Sequence, residues 1–391
     1  MSFPFRLPIF ADGITACEQL TGENPDDVCS EKIIADNPET LVQQKKQALE
    51  NGANMLFAPT GGAVHRRLED FGLDEDFAEI NQTLTETTVK VSDNKTAVCG
   101  VVVPSTLFIP PYGRDTFEDV YIAYLEKITV LKSSGASAVL LQNQDNLCDM
   151  RAGVLAAKAV DIPVFVTMNV DDEGSTKSGN DYIAALITLQ AMGADAFGIE
   201  CSDGADELNG LIKQAFPHAT VPLIAVIDTE QYSEKDILSL AENGASVFID
   251  KSSWKNRTTL QKLSEVNIHF DETDEKDCYA AAIDCEAFFL PDNLELSEPL
   301  ICSYDMSDDL IDLDDENINA IHLFLNSTDD AALLSDKATM SRLPFIIHTN
   351  DAITLEAALR YYQGRLIVDS CCDIDENILK SLSKKYGAII Y

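Results

Sequence analysis

Four segments of this sequence end in nearly the same residues, and this repeat constrains the fold more than any other feature. Each segment has the pattern of an amphipathic helix that stops at glycine, after which alanine leads into a short apolar run. The four helix ends are Asn51-Gly-Ala-Asn54, Ser134-Gly-Ala-Ser137, Met192-Gly-Ala-Asp195 and Asn243-Gly-Ala-Ser246. Glycine supplies the left-handed residue that closes a helix. The repeat therefore predicts helices that alternate with buried parallel strands.

The apolar runs between the helical segments are short and nearly continuous, as expected for strands buried on both faces. There are eight of them in the first two thirds of the chain: Pro8–Gly13, Met55–Thr60, Thr96–Val103, Ala138–Asn143, Pro163–Val170, Ala196–Cys201, Val221–Asp228 and Ser246–Lys251. Eight strands in about 250 residues are typical of a closed (β/α)8 barrel. We therefore predict an α/β protein with a TIM-type barrel over residues 1–268.

The composition changes after His269, where the acidic stretch Asp271–Asp277 marks a boundary. Residues 278–391 return to α/β patterning and predict a second, smaller domain. Its candidate strands are Ala287–Leu290, Leu300–Ser303, Ala320–Leu325, Pro344–Thr349, Arg365–Asp369 and Ala388–Tyr391. These strands suit either a doubly wound, Rossmann-like sheet or a part-barrel, and they are too few to close a full barrel.

Charge and cysteine usage exclude several classes of function. The formal net charge is −38, and such a surface repels nucleic acid and anionic lipid, which both require a positive footprint. No apolar run approaches the roughly 20 residues of a membrane span, and the amino terminus has no secretion-signal pattern. Ten cysteines without regular spacing indicate reduced thiols. We expect a cytoplasmic protein that binds neither nucleic acid nor membrane.

Several motifs carry a resemblance to a known family. They are Phe10-Ala-Asp-Gly13, the stretch from Gly52 to Leu68, Phe197-Gly-Ile-Glu-Cys201 and the stretch from Gly244 to Asp250. Together they resemble the homocysteine S-methyltransferase family, the homocysteine-binding barrel of cobalamin-dependent methionine synthases. Residues 344–391 are similar to part of the pterin-binding domain that follows this barrel. The resemblance implies methyl transfer to homocysteine or a related small thiol substrate.

The family binds its substrate thiol to zinc held by three cysteines, which keeps the sulfur ionised at neutral pH. The resemblance places Cys201 at one of these three positions. The other two fall at Ser252 and Ser253. Because hydroxyls are poor ligands for an ion that favours thiolate and imidazole, we expect no tightly held zinc.

The resemblance also assigns a substrate pocket. It places Asp12 and Gly13 in the pocket, and Gln142 where the family's glutamate binds the substrate amino group. An amide at that position loses a charge-assisted contact of roughly 1.5–3 kcal/mol. No catalytic residue is assigned. The chain has no Asp-x-His-x-x-Gly cobalamin-binding motif, so a corrinoid would have to arrive on another protein.

Two other groups of potential ligands receive a structural interpretation. The adjacent pair Cys371-Cys372 matches a strand end of the pterin-like segment rather than a zinc turn. The five histidines show no metal-ligand spacing; they are His65, His218, His269, His322 and His348.

Three hypotheses for the function stay open. The first is an active methyltransferase that takes its methyl group from a corrinoid protein, a methylated folate or a methyl sulfonium donor. The second is a barrel without catalysis that serves as a binding or assembly subunit, beside a working methionine synthase. The third is a barrel with a changed ligand, bound by strand-end groups such as Asp12, Asp228, Asp250 and Lys251.

Overall fold

Eight parallel strands close into a barrel in the computed structural model, which describes residues 3–93, 95–109, 113–266, 268 and 279–391. Each strand pairs with the next along the chain, and the eighth pairs with the first. The strands are β1 (Ile9–Asp12), β2 (Met55–Ala58), β3 (Ala97–Val102), β4 (Ala138–Gln144), β5 (Val164–Val170), β6 (Ala196–Cys201), β7 (Leu223–Ile227) and β8 (Ala245–Asp250). The predicted (β/α)8 barrel is confirmed.

The helices of the barrel are α1 (Glu18–Thr21), α2 (Ser30–Asp36), α3 (Glu39–Asn51), α4 (His65–Asp70), α5 (Phe77–Ser92), α6 (Phe117–Ser133), α7 (Leu147–Ala159), α8 (Tyr182–Met192), α9 (Ala205–Ala215), α10 (Glu234–Glu242) and α11 (Arg257–Glu265). The glycine-ended repeats close α3, α6, α8 and α10. Gly52 and Gly193 take φ angles of 114° and 95°, which a side chain with Cβ rarely adopts.

Alternate strand residues fill the interior of the barrel. Ile9, Ala11, Leu140 and Ile249 belong to this interior cluster, whereas the residues between them pack outwards against the helices. Because successive side chains of a strand point to opposite faces, the same alternation decides which strand-end residues face the barrel mouth.

The second unit contains a small antiparallel hairpin and a five-stranded parallel sheet in consecutive order. The strands are β9 (Ala280–Ala282), β10 (Ala287–Phe289), β11 (Leu300–Ile301), β12 (Ile321–Phe324), β13 (Phe345–His348), β14 (Ile367–Val368) and β15 (Ile389–Ile390). The helices are α12 (Ser307–Leu313), α13 (Thr328–Lys337), α14 (Ala352–Tyr361) and α15 (Glu376–Tyr386). A doubly wound sheet reverses its strand order, so this order is that of a part-barrel.

The sequence did not predict strand β9, whose residues are three alanines, because alanine has low strand propensity. The predicted strand at Ala287–Leu290 is present as β10, but it pairs antiparallel with β9 rather than joining the parallel sheet.

The two units pack against each other through Arg151 and Arg360. The buried guanidinium of Arg151 donates to the carbonyl oxygens of Leu359 and Arg360 at 2.6 and 3.0 Å, and Arg360 forms an ion pair with Glu118. The predicted boundary between 268 and 278 lies almost entirely outside the described residues and stays a prediction. Within the described part of the chain, no helix combines the length and apolar character needed to cross a membrane.

Candidate functional site at the barrel mouth

Five barrel strands carry a polar residue on their inward-facing side, at or just beyond the carboxyl end of the strand. The residue two positions after an inward residue points the same way, and this places a mixed set of polar groups around the mouth. These residues are Gln142, Asn169, Glu200, Asp228 and Lys251. In a (β/α)8 barrel this end carries the ligand site.

An ion pair between Lys251 and Glu200 crosses this mouth. Beside it, Ser202 and Asn169 lie within hydrogen-bond distance, with 3.2 Å between Oγ and Oδ1. Gln142 is half-buried at the end of β4, where the left-handed Asn143 (φ 52°) marks a break in the pairing with β5. The mouth therefore offers a cation, carboxylates and amides within one polar surface.

Asp12 does not share this exposure. Its carboxylate is fully buried and accepts hydrogen bonds from Lys45 Nζ at 3.0 and 3.2 Å. The backbone N–H groups of Ile14 and Phe57 donate to it as well, at 2.9 and 3.1 Å. These four hydrogen bonds, from three donor groups, give the carboxylate a structural role that ties β1, β2 and α3 together.

Asp250 is likewise fully buried at the end of β8. It accepts from the Thr229 backbone and hydroxyl at 3.0 and 2.8 Å, from the Ser252 hydroxyl at 2.9 Å and from the Trp254 backbone at 2.6 Å. The indole N–H of Trp254 donates to the Ala11 carbonyl at 3.0 Å. Asp250 thus organises the turn that holds both serines.

The two serines are closed into these carboxylate networks. Ser252 Oγ lies 2.6 Å from the Thr229 hydroxyl as well as bonding Asp250. Ser253 takes a left-handed backbone (φ 52°), and its hydroxyl donates to Asp12 at 3.4 Å and accepts from Gln44 at 3.2 Å. Both serines are more than nine-tenths buried. The hydroxyls therefore stabilise the turn rather than present free ligand atoms.

Gly13 is required by packing at the same place. A Cβ on Gly13 would lie 2.2 Å from the carbonyl oxygen of Asp250, so only glycine allows the ends of β1 and β8 to approach this closely. This close packing is a sufficient reason for glycine at position 13, and no bound ligand is needed to explain it.

Cys201 ends β6 on the outward-facing register, with Phe197 and Ile199 in the layer between strands and helices. The thiol is buried and donates to the Asp171 carbonyl at 3.6 Å. Burial raises its pKa above the ordinary value, which opposes formation of the thiolate that zinc requires.

The residues present do not fit a zinc ion of the three-cysteine type. The set consists of one thiol with a raised pKa and two buried hydroxyls already bonded to carboxylates. Within the described residues, the one group of three histidine, cysteine or acidic side chains with metal-ligand spacing lies in the second unit and does not include Cys201.

The fold defines a (β/α)8-barrel protein with polar side chains at the carboxyl ends of its strands. The sequence profile described as homocysteine S-methyltransferase matches residues 12–262. The chain therefore belongs to the homocysteine S-methyltransferase family.

The relatives share sequence with only part of the chain. It is 27% identical over 207 residues to a methionine synthase of Mycobacterium leprae and 25% identical over 207 residues to one of Mycobacterium tuberculosis. Each match covers 50% of this chain and 17% of the relative, so the chain spans about a sixth of the length of these relatives.

A solved structure supports the fold. The metallated form of the homocysteine methyltransferase MmuM from Escherichia coli superposes with a TM-score of 0.56 and 15% identity, covering 65% of this chain and 97% of that protein. At this identity the likeness establishes the barrel alone.

The sequence interpretation missed Glu200 and Asn169 at the mouth. It also treated four strand-end residues as one set of possible ligand-binding groups: Asp12, Asp228, Asp250 and Lys251. The structure separates that set, because Asp12 and Asp250 are buried among donors whereas Asp228 and Lys251 follow the inward register. Counting strand residues by twos would have revealed this division.

Proposed function

We propose that this chain is a binding member of the homocysteine S-methyltransferase family. Its barrel takes a small amino-acid-type thiol, homocysteine or a close relative, at the mouth without zinc and does not activate the sulfur for methyl transfer. The observation that carries the proposal is the engagement of Ser252 and Ser253 with Asp250 and Asp12. A free thiol has a pKa near 8.5. Without a metal ion bound to it, most of the bound sulfur therefore stays protonated at neutral pH.

The charges at the mouth suit a zwitterion. The Lys251 ammonium complements a ligand carboxylate, and the acidic groups Glu200 and Asp228 complement a ligand ammonium. In the Lys251–Glu200 ion pair the lysine side chain is 46% exposed and the glutamate side chain 15% exposed. A zwitterion would therefore reach the ammonium from the solvent side and exchange partners with the pair.

The role of such a subunit is to hold or deliver its ligand for methyl transfer elsewhere. The partner we propose is a corrinoid protein or a methionine synthase subunit in the cytoplasm. This fits the full-length relatives, which are methionine synthases of far greater length.

The second candidate is methyl transfer to homocysteine by this chain itself. Family membership and the strand-end position of Cys201 favour it. It requires a metal held through Cys201 by ligands other than the two serines.

Calorimetry with homocysteine in the presence of a chelator tests the first candidate. We expect zinc-free binding that weakens at least tenfold in Lys251→Met. It should persist in Lys255→Met, which removes an exposed lysine paired with Glu230 at 3.3 Å. We expect no methylated product with a methylcorrinoid, methylfolate or methyl sulfonium donor.

Two outcomes overturn the proposal. Zinc-dependent formation of methionine that disappears in Cys201→Ala would establish the second candidate. Absence of homocysteine binding, in a protein whose thermal unfolding is intact, would exclude this ligand and leave a barrel with a changed ligand or an assembly role.

A further inference from the structure

Three potential ligands converge at the carboxyl end of the parallel sheet in the second unit. Asp369 Oδ2 lies 2.8 Å from His348 Nδ1 and 3.3 Å from His322 Nε2. All three ligand atoms are within 4.8 Å of one another, and the side chains are 14–16% exposed. We call these residues the His-His-Asp cluster.

Strand register places the cluster on one face of the sheet. His322 and Phe324 are two residues apart on β12, and Phe324 pairs with His348 at the end of β13. Asp369 directly follows β14, and its neighbour Val368 pairs with Ile347. The other face packs against the helices. The cluster therefore lies on the face of the sheet opposite the helices, near the carboxyl ends of β13 and β14.

The imidazole rings are held in place by an aromatic neighbour. The ring of Phe324 lies 4.5 Å from that of His348 and 4.8 Å from that of His322, centroid to centroid. On the far side, the backbone N–H of Cys371 donates to Asp369 Oδ1 at 2.8 Å. This bond occupies one carboxylate oxygen and leaves Oδ2 facing the two histidines, as the outer partners of a metal ligand do.

One nitrogen of the cluster has no hydrogen bond. His322 Nε2 is buried, yet it bonds to none of the described residues, although it lies 3.3 Å from Asp369 Oδ2. The hydrogen bond of that oxygen goes to His348 instead. A buried polar group left without a partner costs about 1–3 kcal/mol, and an ion is one of the explanations for such a group.

The two separations between the carboxylate and the imidazoles are close to those of a metal site. A first-row divalent ion with ligands at about 2.0–2.2 Å sets neighbouring ligand atoms roughly 2.9–3.4 Å apart. The two nitrogen-to-oxygen distances of 2.8 and 3.3 Å lie close to that range. Two histidines and one carboxylate form the ligand set of several zinc and non-haem iron centres that keep open coordination positions.

We propose that His322, His348 and Asp369 bind a divalent first-row transition ion, of which Zn²⁺ and Fe²⁺ fit the donor set best. A pocket of about 300 Å³, lined by Phe324, His348 and Asn350 among others, adjoins the cluster. Of the three cluster residues, His348 lines this pocket, from which water or a small ligand would reach a bound ion. The net charge of −38 favours accumulation of cations near the protein.

The competing explanation is an ion-free network in which Asp369 simply accepts from one or both imidazoles. The two explanations differ in one measurable quantity, which is the stoichiometry of metal on the purified chain.

Cobalt titration of the chelator-stripped full chain tests the proposal. We expect one Co²⁺ per chain, with visible d–d absorption and no thiolate charge-transfer band, and displacement by Zn²⁺. Affinity should fall at least about tenfold in His348→Gln and in His322→Gln. It should be unchanged in His65→Gln, a half-exposed barrel histidine paired with Glu126, and in Cys201→Ala.

Metal analysis of the chain purified anaerobically without added metal then shows which of the two ions it carries, since nearly every such site binds Zn²⁺ more tightly than Fe²⁺. Thermal unfolding of each variant checks the fold, and Asp369→Asn provides a nearly isosteric third variant. Absence of stoichiometric Co²⁺ on the wild-type chain overturns the proposal, as does retention of full affinity in folded His348→Gln. Because the cluster lies outside the barrel, neither result bears on homocysteine binding at the mouth.

Discussion

Lys45 and Asp12 form an ion pair in which neither side chain has any exposure to solvent, with 3.0 Å between Nζ and Oδ2. The same ammonium donates to the Ile14 carbonyl at 2.9 Å. Burial lowers the pKa of Lys45, and the charge of Asp12 opposes this effect. The pair joins helix α3 to the end of β1 and gives the strand-end aspartate a structural partner.

Removing the lysine should therefore destabilise the fold strongly. We expect Lys45→Met to lower the free energy of unfolding by about 3–5 kcal/mol, because it leaves the Asp12 carboxylate buried and uncompensated. Urea unfolding measures this change. Lys46→Met, at an exposed position of the same helix, should change stability by less than about 0.5 kcal/mol. A small loss in Lys45→Met would show that Asp12 is free for another role.

Lys127 makes stability depend on pH. It is buried, donates to the carbonyl oxygens of Thr60 and Ala63 at 2.6 Å each, and has its pKa lowered by burial to about 7, although Glu31 and Cys17 oppose the shift. The native state then binds fewer protons than the unfolded state between pH 7 and about 10.5, the ordinary lysine value. The free energy of unfolding therefore rises with pH across this window, by up to about 1.4 kcal/mol per pH unit. The cost of burying the charged ammonium of Lys127 is fully present below pH 7.

Urea unfolding of the wild type and Lys127→Met at several pH values from 6.5 to 9.5 checks this. We expect the free energy of unfolding of the wild type to increase relative to that of Lys127→Met as pH increases. The difference between wild type and Lys46→Met should stay constant. A pH-independent difference for Lys127→Met would show that Lys127 remains charged in the folded protein.

The segment that resembles a pterin-binding domain should not bind folate tightly. Within the described residues its parallel sheet has five strands in consecutive order and does not close, so these strands alone do not surround a pterin ring. Calorimetry with tetrahydrofolate should give no measurable heat at micromolar protein. A micromolar dissociation constant would contradict this expectation.

The regular parts of the fold were predictable because local chemistry decides them. The glycine ends of helices α3 and α8 and the apolar runs of all eight barrel strands follow from backbone conformation and burial, which act within a few residues. Strand β9 was missed because three alanines carry neither a branched-residue pattern nor polar alternation. Strand β9 forms by pairing with β10, and the residues of β9 alone do not indicate this pairing.

The sites were less predictable because they combine residues from different strands. The sequence identified Cys201 and the two serines by position, but it could not indicate that the serine hydroxyls bond to Asp250 and Asp12. His322 and His348 show no ligand spacing along the chain. They meet Asp369 only because β12, β13 and β14 lie side by side.

The measurement that tests the central claim most directly is the metal content of the purified full chain, compared between wild type and Cys201→Ala. If the barrel holds no zinc through its strand-end cysteine, the two proteins carry the same amount of metal, and any bound ion is lost in His348→Gln but not in Cys201→Ala. A stoichiometric zinc present in the wild type and absent from folded Cys201→Ala would contradict the account.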